Sequence, residues 1–176
     1  MKTQIANSYA KLLVLSLITL MTSCKETMKQ EDNLLLQKWE GPYGGVPAFD
    51  QMNVSDIQAA VEKGMELNLS EIEAIANSSE AATFENTIAA MERSGAELDR
   101  VFSYYGIMSS NMSSPEFRDI QAILAPKLSE FSSSISQNKA LFNRIKSVYD
   151  ASLETPLEAD QQRVVELIYK GFEMRG

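Results

Sequence analysis

Apolar positions recur at helical spacing along most of the chain. From Thr83 the stretch TFENTIAAMERSG carries Phe84, Ile88 and Met91 at steps of four and three, one stripe of an amphipathic helix. Leu98, Val101, Phe102, Tyr105, Met108 and Met112 prolong that stripe, so the pattern predicts one long buried helix from Phe84 to about Asn111. Thr83 suits an N-cap, because its hydroxyl accepts a bond from an orphan backbone N–H. Glu85 adds negative charge in the first turn, where the helix dipole favours it. Gly95 falls inside this predicted helix, at a cost of about 1 kcal/mol against alanine, and is read as a close helix approach or a local bend.

Further helices are expected on either side. Ser55-Asp56-Ile57-Gln58 has the form of a capping box, and Ile57, Val61, Met65, Ile72, Ile75 and Ala76 follow, with Asn68 or Leu69 filling the gap, as far as 77–79. Ser114-Pro115 is a restart with proline at the first helical position. Phe117, Ile120, Leu124, Leu128, Phe131 and Ile135 extend it, and Pro126 is expected to kink this helix rather than end it. Asn138 opens a short helix carrying Leu141, Phe142, Ile145, Val148 and Tyr149, with 151–154 as a loop. Thr155-Pro156-Leu157-Glu158 opens the last, whose apolar face is Val164, Val165, Ile168 and Phe172. No stretch reads as a strand. The expected architecture is an all-α bundle of about five to six helices over 51–176.

The region ahead of the bundle is different. Prolines and glycines punctuate 34–50, which forbids a long helix, yet Leu34, Leu35, Leu36, Trp39, Val46 and Phe49 are too apolar for a free linker. It reads as a helical turn at 34–39 followed by an extended arm packed on the domain, with Trp39 as its anchor; residues 25–50 form tether and arm together. Residues 1–24 have the layout of a bacterial lipoprotein signal. Lys2 and Lys11 precede the apolar run Leu12 to Leu20, too short for a spanning helix of about 20 residues. Leu20-Met21-Thr22-Ser23-Cys24 has the form of a lipobox, so lipid on Cys24 is expected to hold the protein at the membrane of a bacterial cell envelope, on the periplasmic side or in the outer membrane.

Composition removes most chemistry. The 176 residues carry a formal charge of −8, which argues against nucleic acid as a partner. The sequence has no histidine and one cysteine, which removes most general-base arrangements, an internal disulfide and multi-cysteine metal sites. The pairs Glu62/Glu66, Glu71/Glu73 and Glu85/Glu92 are read as solvated acids, since nothing imposes different environments on two carboxylates. Glu92-Arg93 and Asp99-Arg100 are read as ion pairs, and Ser132-Ser133-Ser134 lacks a histidine to activate it. The methionines are read mainly as core filling, and one of Tyr104 and Tyr105 is expected to point away from the stripe. No catalytic, cofactor-binding or metal-binding residue is assigned; the one site residue is Cys24, for lipidation.

TFENTIAAMERSG together with Leu98-Asp99-Arg100-Val101 resembles the N-terminal region of the thimet oligopeptidase and peptidyl-dipeptidase family of zinc metallopeptidases, which includes dipeptidyl carboxypeptidase and oligopeptidase A. The similarity continues in order, from PYGGVPAFD at 42–50 through Ala125-Pro126-Lys127-Leu128, Asn138, Leu141-Phe142, Arg144-Ile145 and Tyr149 to Gln161, Arg163, Tyr169, Phe172 and Arg175-Gly176. It spans roughly 33–176. The resemblance implies a complete enzyme that hydrolyses short peptides with zinc held by an H-E-x-x-H helix and a later glutamate, all beyond the last residue here. It implies also that these helices form a wall and lid of the substrate channel. The chain is therefore expected to be the front of a longer peptidase, apparently cut at Gly176. The alternative expectation is a freestanding, envelope-anchored helical lipoprotein that binds or scaffolds without catalysis.

Overall fold

Helix α1 (Asp56–Ala76) is the element the others pack around. In the computed structural model, which describes residues 33–42 and 45–175, it buries Ile57, Ala60, Val61, Met65, Asn68, Ile72 and Ala76 on one stripe. The signal segment and Cys24 lie outside the described residues. Four more helices of fifteen residues or longer complete the bundle: α3 (Ala96–Ser110), α4 (Pro115–Ser136), α5 (Lys139–Glu154) and α6 (Ala159–Glu173). A five-residue helix, α2 (Ala89–Arg93), precedes α3. Among the described residues there is no strand, and the fold is the expected all-α bundle. The first part of α1 packs on α3 and α4, its end on α5, and α6 packs on α5. At Gly64 the backbone of α3 comes so near that a Cβ would lie 3.0 Å from Leu98 Cα, which accounts for a glycine in the middle of α1.

The helix predicted from Phe84 to Asn111 is broken. It opens as a wide π-helical turn, Phe84–Ile88, capped as expected by Thr83, with Asn86 completing a capping box in both directions. After α2 the chain extends at Ser94 and turns left-handed at Gly95, φ 81°. The Gly95 N–H donates to Glu71 Oε2 at 2.7 Å, and a Cβ there would lie 2.9 Å from the Asn68 amide nitrogen. Both conformation and space therefore demand glycine. Met91 and Leu98 stay a heptad apart across the break, which is why the apolar pattern reads as continuous.

Other boundaries also moved. Ser55 makes no capping bond and is itself helical in φ and ψ; the entry is instead a turn in which Asn53 and Val54 carbonyls accept from Asp56 and Ile57. Helix α5 runs through 151–154, and Thr155 is its C-cap, not the start of α6. Pro156 holds Thr155 extended (φ −127°, ψ 94°), because an α conformation before proline is sterically disfavoured. Glu158 occupies the N-cap position of α6. Pro126 lies inside α4 without ending it, and Ser114 caps that helix by accepting from Phe117 N at 3.1 Å.

The arm packs where apolarity suggested, though its helical turn is only a 3-10 turn, Leu34–Leu36, capped by Asn33. Leu35 is fully buried, and Arg100 Nε donates to the Leu36 carbonyl at 3.0 Å. Trp39 and Phe49 both meet the Tyr104 ring edge-on, with centroids 6.3 and 5.1 Å away. The Ala48 N–H donates to the Tyr104 hydroxyl at 2.9 Å. Tyr104 is thus the fully buried tyrosine and Tyr105, which was placed on the stripe, is only partly covered, its ring 5.2 Å from Phe117.

Candidate functional site

Arg144 makes four side-chain hydrogen bonds and lies in a position that should be apolar, between Leu141, Ile145 and Val148 of α5. It is buried. One terminal nitrogen donates to the carbonyls of Ser78 and Glu80 at 3.0 and 2.8 Å, the other to Asn86 Oδ1 and Thr87 Oγ1 at 2.9 and 3.2 Å. No carboxylate is among these partners, so the charge is spread over neutral acceptors. The planar guanidinium fork suits this divergent set, which a single ammonium would not span. The outcome is mechanical: the link after α1 and the π-helical turn are held against α5. A charged residue on an apolar stripe was the sequence signal for this cluster.

The carboxylates singled out in the sequence are not brought together. Glu62 reaches Lys127 of α4 and Gln58, and the Lys127 and Gln58 hydrogen bonds hold its carboxyl below the usual range. Glu66 pairs with Lys63, Glu85 with Arg93 at 3.6 Å, and Glu71 accepts from Gly95. Arg100 pairs with Glu97 rather than with Asp99. On α6, Glu166 is lowered by Lys170 and Arg163, and Lys170 is raised by Glu166. Lys146 is raised by its bond to Asp150, and the Tyr169 hydroxyl by its bond to Glu173. All are partnered groups at the surface, and none has the two unlike environments that acid–base work requires. Among the described residues no three His, Cys, Asp or Glu side chains are grouped to hold a metal, so these residues do not fit a zinc ion. Among them, too, no helix is long and apolar enough to cross a membrane.

Two clefts remain. One, of about 520 Å³, is an apolar groove lined by Phe84, Ile88 and Ala89 on one side and Val164, Leu167 and Ile168 on the other. The second, of about 620 Å³, lies where α5 begins and α6 ends, with Lys139, Phe142 and Lys146 facing Tyr169, Phe172 and Glu173. Neither was visible in the sequence, since each joins residues brought together only by packing.

The family model for the N-terminal domain of neurolysin and thimet oligopeptidase matches residues 57–176. The chain belongs to this family. Dipeptidyl carboxypeptidase of Salmonella typhimurium is 32% identical over 144 residues, 82% of this chain and 21% of that protein. The Escherichia coli dipeptidyl carboxypeptidase is 32% identical over 130 residues, 74% of this chain and 19% of its own length. Oligopeptidase A of Haemophilus influenzae is 27% identical over 132 residues, 75% of this chain and 19% of that protein. The chain spans about a fifth of the length of these relatives. Within the matched region, the residues that carried the resemblance have structural tasks: Thr83 and Asn86 cap, Gly95 turns the chain, and Arg144 ties Asn86 to α5.

Proposed function

We propose that this chain is the N-terminal, channel-forming part of an envelope-anchored zinc peptidase that cleaves short peptides, with Cys24 carrying the lipid. The observation that supports it best is the match of residues 57–176 to a peptidase N-terminal domain. In this reading the helices shape and gate the path to a zinc site in another part of the polypeptide, since the described residues here offer none. The experiment is to isolate the native polypeptide from palmitate-labelled membranes of the source cell and assay it on short peptides. Palmitate in the protein and hydrolysis that a chelator abolishes and zinc restores are expected, while residues 25–176 alone give none. Unlabelled protein would overturn the anchor. A native polypeptide that binds peptides but never cleaves them would overturn the peptidase and leave the binding lipoprotein in its place.

A further inference from the structure

We propose that Tyr149 of α5 and Tyr169 of α6 form a site of oxidative crosslinking, where a one-electron oxidant joins the two rings as dityrosine. The rings are stacked, with centroids 4.2 Å apart and planes within 4°. That separation is shorter than the roughly 4.5–7 Å usual for aromatic pairs, so the ring carbons are in face contact. Phe142 also stacks on Tyr169, at 5.9 Å and 15°, which helps to hold that ring in place. Among the described residues no other aromatic contact pairs two tyrosines. Both rings are only partly buried, and Tyr169 lines the open cleft where α5 begins and α6 ends. A small oxidant can therefore reach them, whereas Tyr104 is fully buried.

The chemistry needs one oxidant, hydrogen peroxide acting through a haem peroxidase. Each phenol gives up one electron and its O–H proton. The Tyr169 hydroxyl already donates to Glu173 Oε1 at 3.1 Å, so a carboxylate stands ready to take that proton as the electron leaves. The two ring radicals then join through a new carbon–carbon bond, each at a position ortho to its hydroxyl. The hydrogens displaced from those carbons return to the phenol oxygens, and the two electrons and two protons reduce one peroxide to two waters. The bond closes a loop of about twenty residues, from Tyr149 to Tyr169, and so removes freedom from the unfolded chain. It falls where the fold has most to gain, since Val165 is the one fully covered residue of α6.

The test treats dilute purified native protein with hydrogen peroxide and a haem peroxidase, then digests it with trypsin for mass spectrometry. Cleavage after Lys146, Arg163 and Lys170 releases 147–163 and 164–170 as separate peptides. After oxidation they should appear as one linked species, two hydrogens lighter than their sum. Tyr149→Phe and Tyr169→Phe, which keep a ring in the stack, should each abolish that species while circular dichroism stays unchanged. Amide exchange within 159–173 should slow several-fold in the linked protein. Tyrosines left unaltered while the exposed Met174 is oxidised would overturn the site, and so would links formed only between chains. An equal yield from protein unfolded in urea would also overturn it, because the stack would then play no part in the coupling. Unchanged exchange would overturn the tie between the helices. The linked species is expected as well from membranes of source cells exposed to peroxide, and its absence there would overturn the site as a modification of the living cell.

Discussion

Helix α1 passes through two cores that are closed in different ways. Around its first half, Ile57, Val61 and Met65 meet Leu98, Val101, Tyr104, Phe117 and Leu124, and the arm covers them with Leu35, Trp39 and Phe49. Around its second half, Ile72 and Ala76 meet Ile88, Leu141, Ile145, Val148 and Val165, with Arg144, Thr87 and Ser152 buried beside them. The first core is completed by shape. The second is completed by directional bonds, and α6 gives it only Val165 as a fully covered residue, leaving Leu167 half-exposed over an apolar groove. A shape-filled core responds to lost volume, a bonded one to lost donors, and the two responses can be measured separately.

The largest effect is expected in the first core. Phe117 is fully buried, with the Tyr105 ring beside it. Phe117→Ala should cost about 4 kcal/mol, the transfer free energy of the ring plus the cavity it leaves. Urea denaturation of purified native and variant protein gives the number. A loss under about 1 kcal/mol would mean that the arm and α4 collapse into the space, and the contrast between the cores would go.

Arg144→Met should come next, at about 3 kcal/mol, because it takes the donor from the buried Thr87 hydroxyl and from the part-buried bonds to the Ser78 and Glu80 carbonyls. Arg144→Lys should recover only part, since one ammonium replaces a two-ended fork. Apolar replacement of a buried charge is neutral or stabilising in some proteins. If Arg144→Met proves as stable as the native protein, the second core is a shape-filled one after all, and the hydrogen bonds serve only to select the loop's conformation.

These two cores were not equally legible in the sequence. The stripes on α1, α4 and α5 gave Ile57, Leu124 and Ile145 as core because burial there follows helical period alone. The break at Gly95 was hidden: the stripe resumes in register, and a left-handed glycine and an intrahelical one leave the same letter. Pro156 was read as the start of a helix although its local steric effect was to end the preceding one. Arg144 was in plain view on an apolar stripe, but its partners, in the link after α1 and in the π-helical turn, are more than fifty residues away. Both clefts depend on how α6 packs, and no local pattern reports that.

The smallest expected effect sharpens the contrast at the rims. Glu62 of α1 bonds Lys127 of α4, joining two helices of the first core, whereas Glu166 bonds Arg163 and Lys170 of its own helix, α6. The folded state lowers the Glu62 pKa, chiefly through the Lys127 hydrogen bond. Its contribution is therefore present above the unfolded carboxylate value and is lost as pH falls through the lower, folded one. The group is largely solvated, so the pair should contribute only a few tenths of a kcal/mol. A double-mutant cycle of Glu62→Gln and Lys127→Met, read by urea denaturation, should show that coupling at pH 7 and lose it at pH 3 or in high salt. The same cycle on Glu166 and Lys170 should leave the first core's midpoint untouched. Coupling that persists at pH 3 would mean that Glu62 and Lys127 hold α1 to α4 by packing of their stems rather than by charge, making even the rim of this core a matter of shape.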